Sequence, residues 1–145
     1  MKYWLPVLIW MTVIFLASSD TRSFNHSSEL LAPLLHWLFP KISDDTVHLL
    51  VFIARKCAHT TEYAILAALL WRAFRRPVKN DLRPWNWPQA GWVLLTVFLY
   101  AGSDEFHQIF VPTRTASIHD VVIDTLGGAA ALLAIWSIGR WQKRW

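Results

Sequence analysis

Lys56, His59, Glu62 and Tyr63 follow one another at three- and four-residue spacings. On a helix that spacing puts all four on one face. Tyr100, Asp104, His107 and Gln108 repeat the pattern, with Glu105 turned about 100° from them. Asp120 and Asp124 are one turn apart, and their stripe continues through Gly127, Gly128 and Ala131. Histidines beside carboxylates are the material of general acid–base and nucleophilic catalysis. The catalytic candidates are therefore His59 and His107 as base or acid, with Glu62, Asp104 and Glu105 as carboxylate partners. Lys56 and Arg114 suit a phosphate or carboxylate group. Tyr63, Gln108, Ser117, Asp120 and Asp124 complete a ligand-binding set. His59, Glu62, Asp104, His107 and Asp120 are also hard or borderline metal donors. Their spacing matches no dedicated metal motif, so neither a metal nor another cofactor is expected. The chain has no nucleophile elbow, phosphate-binding glycine loop or dinucleotide fingerprint.

Each of these residues also has a structural reading. His59 pairs or caps, Asp120 is an N-cap for the last helix, Asp104 and Glu105 end a helix in water, and Gly127-Gly128 let two helices approach. The two sets of readings remain open at the level of sequence.

Apolar segments must position these groups. The 145 residues are 54% hydrophobic and 17% charged, with ten Trp, a composition that reads as a membrane protein. The apolar stretches are about 3–17, 57–74, 88–102 and 120–138. With polar turns added, they predict transmembrane helices over about 3–18, 56–74, 88–108 and 119–139. The first and third are short against the roughly 20 residues a span needs, so tilt or local thinning is expected. Glu29–Phe39 carries leucines at helical spacing but is too short to span, and reads as an interfacial or re-entrant segment. Residues 46–54 extend the second helix or form a second surface element. The fold expected is an all-α membrane protein, a single domain over 1–145, with four transmembrane helices and that extra segment between the first two. The first helix also resembles a signal peptide, with Lys2 before it and Ala17-Ser18-Ser19 after it. The one cysteine, Cys57, forms no intrachain disulfide.

The net charge of +4 flanks apolar runs, so it points to topology rather than to nucleic acid. With the N terminus inside, nine basic residues fall on the cytoplasmic side: Lys2, Arg72, Arg75, Arg76, Lys79, Arg83, Arg140, Lys143 and Arg144. Five fall outside: Arg22, Lys41, Arg55, Lys56 and Arg114. Both termini are then cytoplasmic, and most Trp lie near that boundary. Of the ten acidic residues only Asp81 stays inside, and all six histidines lie outward. Asp44 and Asp45 read as solvated loop charges. The rest sit in or at the ends of helices, where ionisable groups are costly and usually functional. Ser18, Ser19 and Asp20, at the end of the first helix, reach the same level.

The run Lys56-Cys57-Ala58-His59-Thr60-Thr61-Glu62-Tyr63-Ala64 resembles the first motif of the VanZ-like membrane protein family. Residues 100–117, with Asp104-Glu105-Phe106-His107-Gln108 and then Arg114, look like that family's most specific motif. They continue into an aspartate and glycine segment over 120–128. Ser18-Ser19 is similar to its short serine motif. The chain departs from the family pattern at Thr60, where an aromatic residue is frequent, at Thr113, where Gly is frequent, and at Asp124, where Asn is common. The last adds a negative charge to the cluster. The family is named for a protein associated with glycopeptide antibiotic resistance, so the resemblance implies cell-envelope biology without naming a reaction.

Together these readings predict a multi-pass protein of the bacterial cytoplasmic membrane with an extracytoplasmic polar pocket. The pocket would bind or handle an anionic membrane lipid or lipid-linked cell-wall intermediate, with a link to glycopeptide susceptibility. The alternatives are a membrane-embedded hydrolase or transferase acting on such a lipid, a small proton-coupled carrier, and a structural partner subunit. Whether the chain is an enzyme stays open.

Overall fold

The structure, a computed structural model, describes residues 2–19, 23–77, 81, 83–111 and 117–144. Residues 19 and 23–30 are described as backbone alone. Asp20, Arg22, Lys79, Thr113, Arg114 and Trp145, which the sequence reading used, lie outside the described residues. Five helices follow one another: α1 Leu5–Ser19, α2 Ser23–Leu38, α3 Asp44–Arg75, α4 Trp87–Gln108 and α5 Ile118–Trp141. Among the described residues there is no strand.

α3 is the axis of the fold and packs against each of the other four helices. No Gly or Pro interrupts residues 44–76, so its 32 residues form one continuous helix about 48 Å long. Residues 46–54 thus extend the helix rather than form a separate element. Ser43 caps it by accepting the Thr46 N–H at 3.3 Å. Asp44 and Asp45 lie in its first turn, where negative charge meets the positive end of the helix dipole. They are helix-start residues and not the loop charges expected from sequence. Arg76 ends the helix in the left-handed conformation, with φ 45°.

α1 is apolar on all sides. It turns Val7, Ile14 and Ser18 inward, at 1%, 0% and 0% exposure, and leaves Leu5, Leu8, Ile9 and Leu16 more than half exposed. α4 and α5 repeat this pattern. Phe98, Leu99, Leu126 and Leu133 face outward, whereas Asp104, Glu105, Gln108 and Asp124 are buried. Apolar outside and polar inside is the distribution expected of a bundle solvated by lipid.

Among the described residues α5 is the one helix long and apolar enough to cross a membrane by itself. Only 28% of its apolar window is buried inside the protein, which separates it from the core helix of a soluble domain. Leu5–Ser18 is apolar but shorter, α3 carries charged residues along much of its length, and α4 carries Asp104 and Glu105 near its end. The remaining spans of the expected four do not follow from length and hydropathy alone. α2 is a 16-residue helix with Pro33 inside it. At about 24 Å it is shorter than a hydrocarbon core.

The end of the bundle away from the polar residues is aromatic and basic. Trp71 stacks on Trp85 with centroids 4.0 Å apart, Trp85 meets Trp87 edge-on, and Trp87 reaches Trp136. Arg75 lies over Trp71 and Arg140 over Trp136, adding cation–π attraction. Arg75 does more than supply charge. It is 7% exposed, donates to Asp81 Oδ2 at 3.0 Å, and donates to the carbonyls of Pro84 and Arg83. Arg83 completes the clamp with bonds to both Asp81 oxygens and to the Arg75 carbonyl.

Hydrogen bonds from Arg83, then those from Arg75, hold the Asp81 carboxyl well below the usual carboxylate range. A depressed folded value means the clamp is fully present above the ordinary carboxyl pKa of about 4 and is lost as pH falls below it. Limited proteolysis of the α3–α4 loop should therefore be flat from about pH 5 to pH 9. Asp81→Asn should raise cleavage at neutral pH. Equal resistance of the variant and the parent at pH 7 would remove the clamp as the cause.

Candidate functional site

The polar cluster is built by four helices. α1 supplies Ser18 at the end of its inward stripe. α3 supplies Lys56, His59, Glu62 and Tyr63, α4 supplies Asp104, Glu105 and Gln108, and α5 supplies Asp120 and Asp124. Two close approaches set their depth. A Cβ on Gly127 would stand 2.5 Å from the Thr60 carbonyl oxygen, and one on Gly128 would stand 3.0 Å from Val97 Cγ1. α5 therefore lies directly on α3 beside His59 and on α4 one turn below Ala101. The glycines serve helix packing, the structural reading of the pair.

Asp104 is the hub. It is 4% exposed, and its Oδ2 accepts from Ser18 Oγ at 2.6 Å, from Tyr63 OH at 3.4 Å and from Gln108 Nε2 at 3.4 Å. Three helices thus converge on one carboxylate oxygen. Its Oδ1 is buried and has no hydrogen-bond partner among the described residues. Tyr63 is itself fully buried, so its hydroxyl meets Asp104 rather than an open surface.

Glu105 is 7% exposed and accepts the Ser117 backbone N–H at 2.8 Å. The 100° turn that separates it from Asp104 aims it at the start of α5, not at water. The reading of Asp104 and Glu105 as a solvated helix end is thereby corrected. Ser117 occupies the N-cap position of α5 without a side-chain bond. Asp120 lies in the first turn, its N–H bonded to the Ser117 carbonyl. The N-cap reading of Asp120 is corrected too, because its side chain goes to the ammonium of Lys56. That ion pair ties α3 to α5 at the mouth of the cluster, where Lys56 and Asp120 remain 31% and 25% exposed.

His59 Nδ1 stands 3.2 Å from Glu62 Oε2, within ion-pair distance but without hydrogen-bond alignment. His59 is also within electrostatic range of Asp104 and Asp124. Asp124 is 6% exposed and makes no hydrogen bond to another described residue. The His107 ring lies 4.5 Å from that of Phe15 on α1. Among the described residues no three His, Cys, Asp or Glu side chains are grouped to hold a metal ion.

The helical spacings bring together Lys56, His59, Glu62, Tyr63, Asp104, Glu105, Gln108, Asp120 and Asp124, with Ser117 joined through its backbone. His107 stands on the α1 flank, and Arg114 lies outside the described residues. Ser18 was underweighted. Its signal was its place four residues after Ile14 on the inward stripe of α1. Trp10 and Tyr100 were missed as cross-links, donating to the carbonyls of Glu62 and Met11 at 2.9 Å and 2.5 Å.

The VanZ/LLP1 family model matches residues 3–139. The chain belongs to the VanZ/LLP1 family. The match runs from the start of α1 to the last turns of α5, so it takes in every residue of the cluster. Comparison with curated proteins and with solved structures gives no match. VanZ/LLP1 membership and the apolar α5 agree on a membrane protein.

Among the described residues the VanZ/LLP1 cluster is rich in buried carboxylates. Asp104, Glu105 and Asp124 are buried together. Lys56 is engaged by Asp120, and His59 lies against Glu62. Such an arrangement can accept hydrogen bonds or favour positive charge, and the exposed side of Lys56 can meet an anion at its edge.

Proposed function

We propose that this VanZ/LLP1 protein works in the bacterial cell envelope and binds or handles an anionic membrane lipid, or a lipid-linked cell-wall intermediate, at the polar cluster. In this reading α1, α4, α5 and the C-terminal part of α3 span the cytoplasmic membrane. α2 lies at the surface or re-enters, both termini are cytoplasmic, and the cluster faces outward. The observation that carries it is the buried polar cluster, edged by Lys56, at one end of a bundle whose outer surface is apolar. A polar site entered from lipid selects molecules with a polar head and an apolar tail. The nine-to-five division of basic residues supports the orientation, as does the tryptophan-rich opposite end. A link to glycopeptide susceptibility follows from the family name alone.

Native mass spectrometry of gently solubilised protein is the test. An anionic lipid should be retained, and Lys56→Ala or Arg114→Ala should weaken retention about tenfold, the scale of one charge-assisted contact. Retention that is absent, or indifferent to both variants, would refute the reading. Protease access to the 76–86 loop from outside intact cells would reverse the orientation.

The His59–Glu62 contact favours a second reading, a hydrolase or transferase acting on the same lipid. A histidine beside a carboxylate is the arrangement of a general base with its orienting partner. Turnover of the retained lipid, lost in His59→Ala with retention intact, would decide for it.

A further inference from the structure

Asp104 uses one of its two carboxylate oxygens. Ser18, Tyr63 and Gln108, from three helices, all donate to Oδ2, while Oδ1 is buried without a partner among the described residues. If the residue served only to join α1, α3 and α4, one acceptor oxygen would suffice, and the amide of asparagine would supply it. A carboxylate adds a second acceptor, and leaving that acceptor buried and unmade is costly. The described residues around it do not satisfy it. Asp124, Glu105 and Tyr63 lie within electrostatic range, and Tyr63 is already committed to Oδ2. His59, the cationic candidate nearby, lies against Glu62.

We infer that the ligand of this cluster presents a hydrogen-bond donor, a hydroxyl or an ammonium group, to Asp104 Oδ1. The inference rests on the lipid-binding reading and narrows its substrate class. The head group carries an N–H or O–H donor beyond its phosphate, so an anionic charge alone does not define it. Lys56 meets the phosphate at the rim, and Asp104 reads the group beyond it.

Two matched lipid pairs separate donor from charge. Phosphatidylglycerol and phosphatidylmethanol share one negative charge, and only the first has head-group hydroxyls. Phosphatidylethanolamine and phosphatidylcholine share a zwitterion, and only the first has N–H donors. The four dioleoyl lipids are titrated onto the delipidated full-length protein in detergent and read by native mass spectrometry. The donor-bearing member of at least one pair should bind about tenfold more tightly. Which pair responds tells hydroxyl from ammonium. Asp104→Asn keeps the shape and keeps a carbonyl for Ser18, Tyr63 and Gln108. It places an NH2 donor at the Oδ1 position and should abolish the preference, whereas Asp45→Asn, at the exposed start of α3, should retain it.

Binding of all four lipids without preference overturns this inference and leaves lipid binding standing. Binding of none overturns both. Preference that survives Asp104→Asn, or is lost equally in Asp45→Asn, removes Asp104 as the acceptor. If Asp104→Asn does not fold, the wild-type pairs still decide whether the ligand presents a donor.

Discussion

Gly127→Ala is expected to be the most disruptive single-methyl change in the protein. The added Cβ would stand 2.5 Å from the Thr60 carbonyl oxygen and 2.7 Å from its methyl carbon. The oxygen is helix backbone and cannot rotate away, so α5 must move off α3. Overpacking of this kind costs about 1–3 kcal/mol, and a backbone obstacle puts the cost at the upper end. The shift would also pull Asp120 from Lys56 and Asp124 from the cluster, so ligand retention should fall with stability. Gly128→Ala meets Val97 Cγ1 at 3.0 Å and Ala67 Cβ at 3.5 Å, a side-chain contact with some room to adjust, and should cost less. Gly91 and Gly102 have nothing within 4 Å of an added Cβ. Alanine there should be neutral or slightly stabilising, because it favours the helix. Thermal unfolding in one detergent ranks the four variants. A Gly127→Ala protein as stable as Gly91→Ala would mean that the α3–α5 contact is not a tight one.

Tyr63→Ala is the second large effect. Tyr63 is fully buried and is among the largest side chains in the core. It packs beside Tyr100 with ring centroids 6.3 Å apart. Truncating a buried aromatic residue costs about 3–5 kcal/mol, mostly through the cavity left behind. Lipid does not supply the hydrophobic drive that water does, but the lost packing contacts remain. Tyr63→Phe keeps the ring and gives up only a 3.4 Å bond to Asp104, so it should cost well under half as much. Comparing the two in thermal unfolding separates packing from hydrogen bonding. If Tyr63→Phe is as damaging as Tyr63→Ala, the hydroxyl and not the ring is what the bundle needs.

These two residues show how the site depends on the scaffold. Gly127 sets the distance between α3 and α5, and Tyr63 fills the space between α3 and α4 beneath Asp104. Neither needs to touch a ligand for its loss to disturb the cluster. His59→Ala and Lys56→Ala act at partly exposed positions, 24% and 31%, so they should report on the ligand with less disturbance of the fold.

Sequence alone determined which residues share a face. Periodicity is a property of one helix, so Lys56, His59, Glu62 and Tyr63, or Asp120 and Asp124, could be grouped without coordinates. Composition and the apolar runs determined that the chain is helical and membrane-associated, and its motifs pointed to the family. The continuity of α3 was partly legible, since no Gly or Pro interrupts residues 44–76. What one helix says to another was not legible. Spacing turned Glu105 away from Asp104, but only the position of α5 made that direction an interior one. Asp120 has the sequence position of a cap, but in the structure Lys56 stands opposite its carboxylate. The three donors on one oxygen of Asp104 come from residues 18, 63 and 108, and the depth at which they meet is fixed by contacts such as Gly127 on Thr60. The polar residues at one end of the chain's helices were thus visible from the start, and the tertiary structure decided which of their atoms are spent on one another and which, like Asp104 Oδ1, are not.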